Sequence, residues 1–171
     1  MQLNRFREVA LGAVLLLFCA ACPSAGASLK GGCGEVKITP AVGAWLSGYA
    51  ARDKPSTAVA DDLFARALVL DDGDDVVVIL SADLLWVPGE VTGRIRRALH
   101  EEIGVAEQNV LVCATHTHFG PKVDTRTTMG PKVAENAVEE TYVDTLVRTM
   151  SHVATAAFAN RREVRLGAAR G

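Results

Sequence analysis

Val76-Val77-Val78-Ile79-Leu80 and Val110-Leu111-Val112-Cys113-Ala114, with Val91, Ile95, Leu99 and Ile103 spaced between them, decide the fold. Both runs are apolar on both faces and too short for helices, as strands inside α/β sheets are. The four residues between them recur close to the helical period. Their helix begins near Pro88, a residue tolerated in the first turn, and Gly104 stops it. Strand, helix and strand make a βαβ unit, which predicts parallel strands joined by a right-handed crossover. The two-sided apolar run at 76–80 predicts a central position in a sheet covered on both faces.

Working outward, Phe64 to Leu70 is strand-like and reaches Val76 through Asp71-Asp72-Gly73-Asp74-Asp75, a strong turn sequence. That pair is a hairpin. Glu35 to Thr39 reads as a short strand stopped by Pro40, and residues 41–62 and 119–137 read as loops rich in turn formers. The last helix is expected from Glu139 to Ala159, with Val143, Leu146, Val147, Met150, Val153, Ala154 and Ala157 on one stripe. Val164 and Leu166 open one more strand-like segment. The fold class is therefore α/β: a mixed sheet with a hairpin and a βαβ unit, helices packed on the sheet, and an incomplete share of a larger domain.

The chain has 171 residues, which bounds it to one domain at most. Hydrophobic residues make up 49% and charges nearly balance, which argues against disorder. Lys and Arg number 18 against 20 Asp and Glu, leaving no positive excess for phosphates and excluding a basic nucleic-acid binder. Four cysteines are too few for a disulfide scaffold, and there is no CxxC…CxxC pattern.

Residues 1–27 read as an export leader preceding a globular part at 28–171. Arg5 and Arg7 give a positive start, Leu11 to Ala21 an apolar stretch, and Ala25-Gly26-Ala27 a small-residue cleavage site. Pro23 ends the apolar stretch well short of the roughly 20 residues a spanning helix needs. Ala20-Ala21-Cys22 offers a second ending, in which Cys22 is lipidated, although Cys19 stands where a lipoprotein signal carries leucine. Either ending implies a secreted or periplasmic protein, lipid-anchored in the second case. Export leaves Cys33 and Cys113, either paired with each other or, for Cys113, a buried free thiol.

The chemically loudest segment is Thr115-His116-Thr117-His118-Phe119-Gly120-Pro121, directly after the apolar strand 110–114. Ligands of α/β sheets collect at the carboxyl ends of strands. In extended chain, residues two apart point to one side, so His116 and His118 can address one centre. Neutral imidazole suits zinc, but two ligands do not complete a site. Asp83, just past the parallel strand 76–80, is the nearest carboxylate. It can orient a histidine, bind metal, or cap the helix that follows. His100 and His152 fall on polar helix faces and read as solvated. No GxSxG elbow, P-loop or GxGxxG is present.

Val36-Lys37-Ile38-Thr39-Pro40, Gly48-Tyr49-Ala50, Ala65 to Leu70, Ser81-Ala82-Asp83-Leu84, Asn109-Val110-Leu111 and the Thr115–His118 element with Gly120-Pro121 follow one another in an order that resembles the neutral/alkaline, non-lysosomal ceramidase family. The resemblance covers nearly all of residues 33–171. It implies a zinc-dependent amidase that splits the N-acyl bond of ceramide into sphingosine and a fatty acid. His116 takes the position of a zinc ligand, and His118 that of an active-site residue holding the substrate or its oxyanion. Phe119 and Lys122 depart from the serine and glycines usual around Gly-Pro in the family. The family's other zinc ligands (a His, a Glu and a Tyr) and an active-site Arg lie beyond this segment, and His152, Arg161 and Arg162 sit in no matching motif. The remaining carboxyl-terminal part of the enzyme is thus expected elsewhere. A ceramide substrate, or lipidation at Cys22, would bring the protein to a membrane surface. The alternatives are a relative that hydrolyses a non-lipid amide, and a non-catalytic exported module of the same fold.

Overall fold

The computed structural model describes residues 28–123 and 140–170. The leader reading of 1–27 with Cys22, the loop reading beyond residue 123, and Glu139 lie outside them. The described chain runs β1 (Lys30–Lys37), β2 (Phe64–Asp71), β3 (Val76–Ala82), α1 (Gly89–Ile103), a 3₁₀ turn (Glu107–Asn109), β4 (Val110–Ala114), α2 (Glu140–Ala159) and β5 (Arg162–Glu163). The strands form one mixed sheet in the order β4-β3-β2-β1-β5.

The hairpin forms as its turn chemistry dictates. β2 and β3 pair antiparallel from Ala65↔Ala82 to Asp71↔Val76. Asp71 Oδ1 accepts from Gly73 N at 2.9 Å, and Asp72 Oδ1 accepts from Asp74 N and Asp75 N. The βαβ unit follows: β3 and β4 are parallel neighbours, from Val78↔Val110 to Ala82↔Ala114. Pro88 stands one position before α1, as its N-cap. At the other end Gly104 adopts φ 71° and donates its N–H to the His100 carbonyl, the left-handed stop that glycine permits.

The apolar stripes of both helices bury Val91, Ile95 and Leu99 from α1 and Leu146, Met150 and Val153 from α2 against Val69, Val78 and Leu80 of the sheet. Each large aliphatic side chain buried this way contributes roughly 1.5–3 kcal/mol. Arg94 Nη2 to Asp144 at 2.6 Å and Thr155 Oγ1 to Glu102 at 2.7 Å tie the helices together. Tyr142 donates its hydroxyl to the Ile38 carbonyl at 2.7 Å, pinning α2 to the end of β1, and burial raises its pKa.

Four expectations change. The first strand runs from Lys30 and not from Glu35, and ends before Ile38 and Thr39; its Gly31-Gly32-Cys33-Gly34 half is glycine-rich with no alternation to read. The reason is α2: a Cβ on Gly32 would run into the Ala157 carbonyl, and one on Gly34 would stand 2.9 Å from Val153 Cγ2. The last strand is Arg162–Glu163, pairing with Lys30 and Gly31, and Val164 and Leu166 lie past it. Third, β3 is not covered on both faces among the described residues. The buried residues of β2 and β3 (Ala65, Ala67, Val69, Val78, Leu80, Ala82) alternate onto the helix side, while Leu68, Val77 and Leu111 are 40%, 38% and 55% exposed. Fourth, Cys113 is neither buried nor paired: both Cys33 and Cys113 are free and exposed. They stand on β1 and β4, three strand spacings apart, about 14 Å at ~4.8 Å per strand, and no disulfide bridges more than about 7 Å between Cα atoms.

Candidate active site

Because β3 and β4 are parallel and end level at Ala82 and Ala114, the segments that follow them leave the same edge of the sheet. Thr115 N donates to the Ala82 carbonyl at 3.0 Å, so the two exits remain joined. The next residue, His116, has φ 62°, the one positive φ at a non-glycine among the described residues. Left-handed backbone is uncommon outside glycine, though histidine is among the residues enriched there. The extended geometry expected for 116–118 is therefore replaced by a turn. The turn still brings the imidazoles together: their centroids are 5.1 Å apart and their planes 83° from parallel.

His116 Nδ1 lies 2.8 Å from the Leu85 carbonyl oxygen, on the segment leaving β3. A carbonyl only accepts, so Nδ1 carries a proton, and in the neutral ring the lone pair is then on Nε2. This is the arrangement that prepares a neutral histidine to bind a metal through Nε2. The donor chemistry at His116 fits zinc. Among the described residues, however, no three His, Cys, Asp or Glu side chains converge into a metal-binding group.

His118 is held from a different direction. Trp45 to Ser47 runs alongside Gly120 to Lys122, with Ser47 N to Gly120 O at 2.9 Å, Lys122 N to Trp45 O at 2.7 Å and a bridge at Leu46↔Pro121. Gly48 (φ 108°) then passes directly against His118. Tyr49 sets its ring edge to face with the His118 imidazole at 5.1 Å, and Arg52 Nη2 donates to the His118 carbonyl at 3.1 Å. On the other flank Gly120 packs on Asp83–Leu84, where a Cβ would stand 3.1 Å from the Asp83 carbonyl and 3.2 Å from Leu84 Cα. Thr117 and Phe119, on either side of His118 in the chain, line a cavity of about 390 Å³ with Pro40, Leu46, Val59 and Leu63. That volume falls within the range of small-molecule sites, about 300–1,000 Å³.

Asp83 sits at this edge, with its carboxylate turned to the hairpin. Oδ2 accepts from Phe64 N at 2.9 Å and from Arg66 Nη1 at 3.2 Å. Asp83 thus fixes the start of the segment that carries the Leu85 carbonyl, and that carbonyl is what orients His116. Arg66 also pairs with Glu35 at 2.7 Å; Asp83 first, and Glu35 after it, raise the guanidinium's pKa. His100 and His152 are exposed on α1 and α2. Sequence reasoning missed Leu85 and Arg52, and it took Gly48 and Tyr49 only as part of the family resemblance, with no role at the site. A backbone acceptor leaves no mark in a sequence, and the other three stand in a loop with no periodicity.

Two kinds of comparison bear on this arrangement. The family model described as neutral/alkaline non-lysosomal ceramidase, N-terminal, matches residues 30–171. The crystal structure of neutral ceramidase from Pseudomonas aeruginosa superposes with a TM-score of 0.67 at 22% identity, covering 80% of this chain and 22% of that one. A structure of a ceramidase complexed with C2 gives a TM-score of 0.66 at 22% identity, with the same coverage. At that identity the likeness speaks for the fold, and this chain spans about a fifth of the solved chains it matches. The family match takes in every described element from β1 to β5, so the chain belongs to the neutral/alkaline non-lysosomal ceramidase family, over that family's amino-terminal region.

Proposed function

We propose that this chain is the amino-terminal portion of an exported, zinc-dependent amidohydrolase that cleaves the N-acyl bond of ceramide to sphingosine and a fatty acid. The observation that carries the reading is the orientation of His116. Its Nδ1–H is committed to Leu85 O, its Nε2 is left for a metal, and a second imidazole stands 5.1 Å away. His116 is the zinc ligand contributed by this segment. Zinc, when bound, supplies Lewis acidity toward an amide carbonyl. His118 faces the amide and donates to its oxygen as negative charge develops there. Asp83 and Arg66 hold the segment beneath His116, and the cavity beside Thr117 and Phe119 gives the substrate room. The leader at 1–27 places the protein in the periplasm or outside the cell, with lipidation at Cys22 as the anchored variant.

The test is hydrolysis of ceramide by the full-length enzyme with and without a chelator, beside a panel of short acyl amides. Chelator-sensitive ceramide turnover supports the reading. Turnover of the short amides alone would move the substrate to a non-lipid amide. A non-catalytic module of the same fold is the second reading, and it requires that the rest of the protein supply no further zinc ligands. Full-length protein that binds no zinc and hydrolyses neither class would establish it.

A further inference from the structure

We infer that Arg52, braced on Tyr49, is the positioning residue for His118; its catalytic consequence rests on the proposed role of His118 toward the amide. Arg52 N donates to the Tyr49 carbonyl at 3.1 Å, closing a tight turn. The turn folds the guanidinium back over its own Tyr49 ring, 5.5 Å from the centroid, and within 5.8 Å of the Phe119 ring. From there Nη2 reaches the His118 carbonyl. Tyr49 meanwhile touches the imidazole itself, and it meets Phe119 edge to face at 5.7 Å. One four-residue turn therefore holds His118 by its backbone, by its ring and through the ring that follows it.

The chemistry suits arginine in particular. A planar guanidinium can lie against two aromatic faces and still donate sideways, whereas an ammonium supplies charge without that plane. Among the described residues, Arg52 Nε is buried with no hydrogen-bond partner. The remaining contacts of Arg52 converge on His118 and Phe119. His116 is held independently, by Leu85 O. The two histidines should therefore respond separately when the turn is altered, which a general loop-stabilising role would not produce.

The experiment follows the imidazole ¹⁵N resonances of both histidines in the full chain, assigned with His118→Gln, together with thermal midpoints. Arg52→Gln and Tyr49→Leu are expected to shift and broaden the His118 signals and leave those of His116 in place. Arg52→Lys is expected to retain the midpoint without restoring the His118 signals. Unchanged His118 signals in Arg52→Gln and Tyr49→Leu would overturn the assignment. So would both histidines moving together in step with lost stability. If Arg52→Gln does not fold, Tyr49→Leu and Arg52→Lys decide by the same criteria. In the full-length enzyme, Arg52→Gln should lower kcat on the order of 10²-fold with KM little changed. A selective His118 response in a protein that hydrolyses no amide would leave the positioning role standing and sink the amidase reading instead.

Discussion

A Cβ placed on Gly48 would stand 2.6 Å from the Cγ of His118 and 2.8 Å from its Cα. Gly48 also holds φ 108°, a region that L side chains rarely adopt. Gly48→Ala must therefore both strain the loop and push His118 aside. The expected cost is about 1–3 kcal/mol from the backbone alone, read by urea unfolding. The His118 ring resonances should shift in the same variant. Wild-type stability together with an unmoved His118 would contradict this account of the loop.

Zinc binding should divide the histidine pair unequally. In the full-length protein, His116→Ala is expected to weaken zinc more than His118→Ala, because among the described residues His116 is the one of the pair whose Nδ1 is committed to a carbonyl. Isothermal titration measures both, and equal losses would mean that the pair chelates jointly. Residues 28–171 alone should bind zinc weakly at best and hydrolyse no ceramide, since one or two ligands do not close a tetrahedral site.

Gly32 is the tightest point under α2. Gly32→Ala would press its methyl into the Ala157 carbonyl and to within 3.2 Å of Arg161 Cα, both backbone atoms that cannot turn away. A loss of about 1–3 kcal/mol, the usual range for overpacking, is expected. Gly89→Ala serves as the control, because nothing lies within 4 Å of a Cβ there. Chemical denaturation of the two variants side by side checks the contrast.

The end of β2 carries a pH-dependent contribution. Arg161 Nε binds Asp71 Oδ2 at 2.6 Å, and this bond, followed by the Gly73 N–H, holds the Asp71 carboxyl below its ordinary range. A depressed pKa gives stability that is present above the unfolded value, about 3.9, and lost as pH falls through the folded one. Asp71→Asn should cost about 1–3 kcal/mol at neutral pH. The gap from wild type should close as pH falls below about 4. Urea midpoints measured across that range test the sign.

The helices and the hairpin were legible because their signals are local: a 3.6-residue stripe, a glycine stop, an Asp-rich turn. β1 was half legible, since a strand of glycines has no alternation to read, and what demands glycine there is a helix more than a hundred residues later. The apolar run of β3 pointed to two covered faces, yet exposed Val77 beside Leu68 and Leu111 shows that such a run does not say what lies on each side. At the candidate site, the Thr-His-Thr-His element and the parallel exit of β3 were enough to find the edge and its two imidazoles. Asp83 was reached by chain position, and pairing register then set it opposite Phe64, where Phe64 N and Arg66 claim the carboxylate. The clamps on the histidines are backbone groups and loop residues, visible only once the chain has closed on itself.

The two clamps differ in how far along the chain they reach. Leu85 and His116 are 31 positions apart and belong to one βαβ unit; Arg52 and His118 are 66 apart and join it to the loop that precedes the hairpin. Closing the longer loop costs more chain entropy, and its reward arrives only after the sheet has paired. The difference favours an order of assembly in which His116 takes its orientation when β3 and β4 meet, and His118 when the loop before the hairpin docks. A nascent or partly unfolded molecule would then hold one aligned imidazole and one loose one, with the pair complete only when the amino-terminal loop has docked.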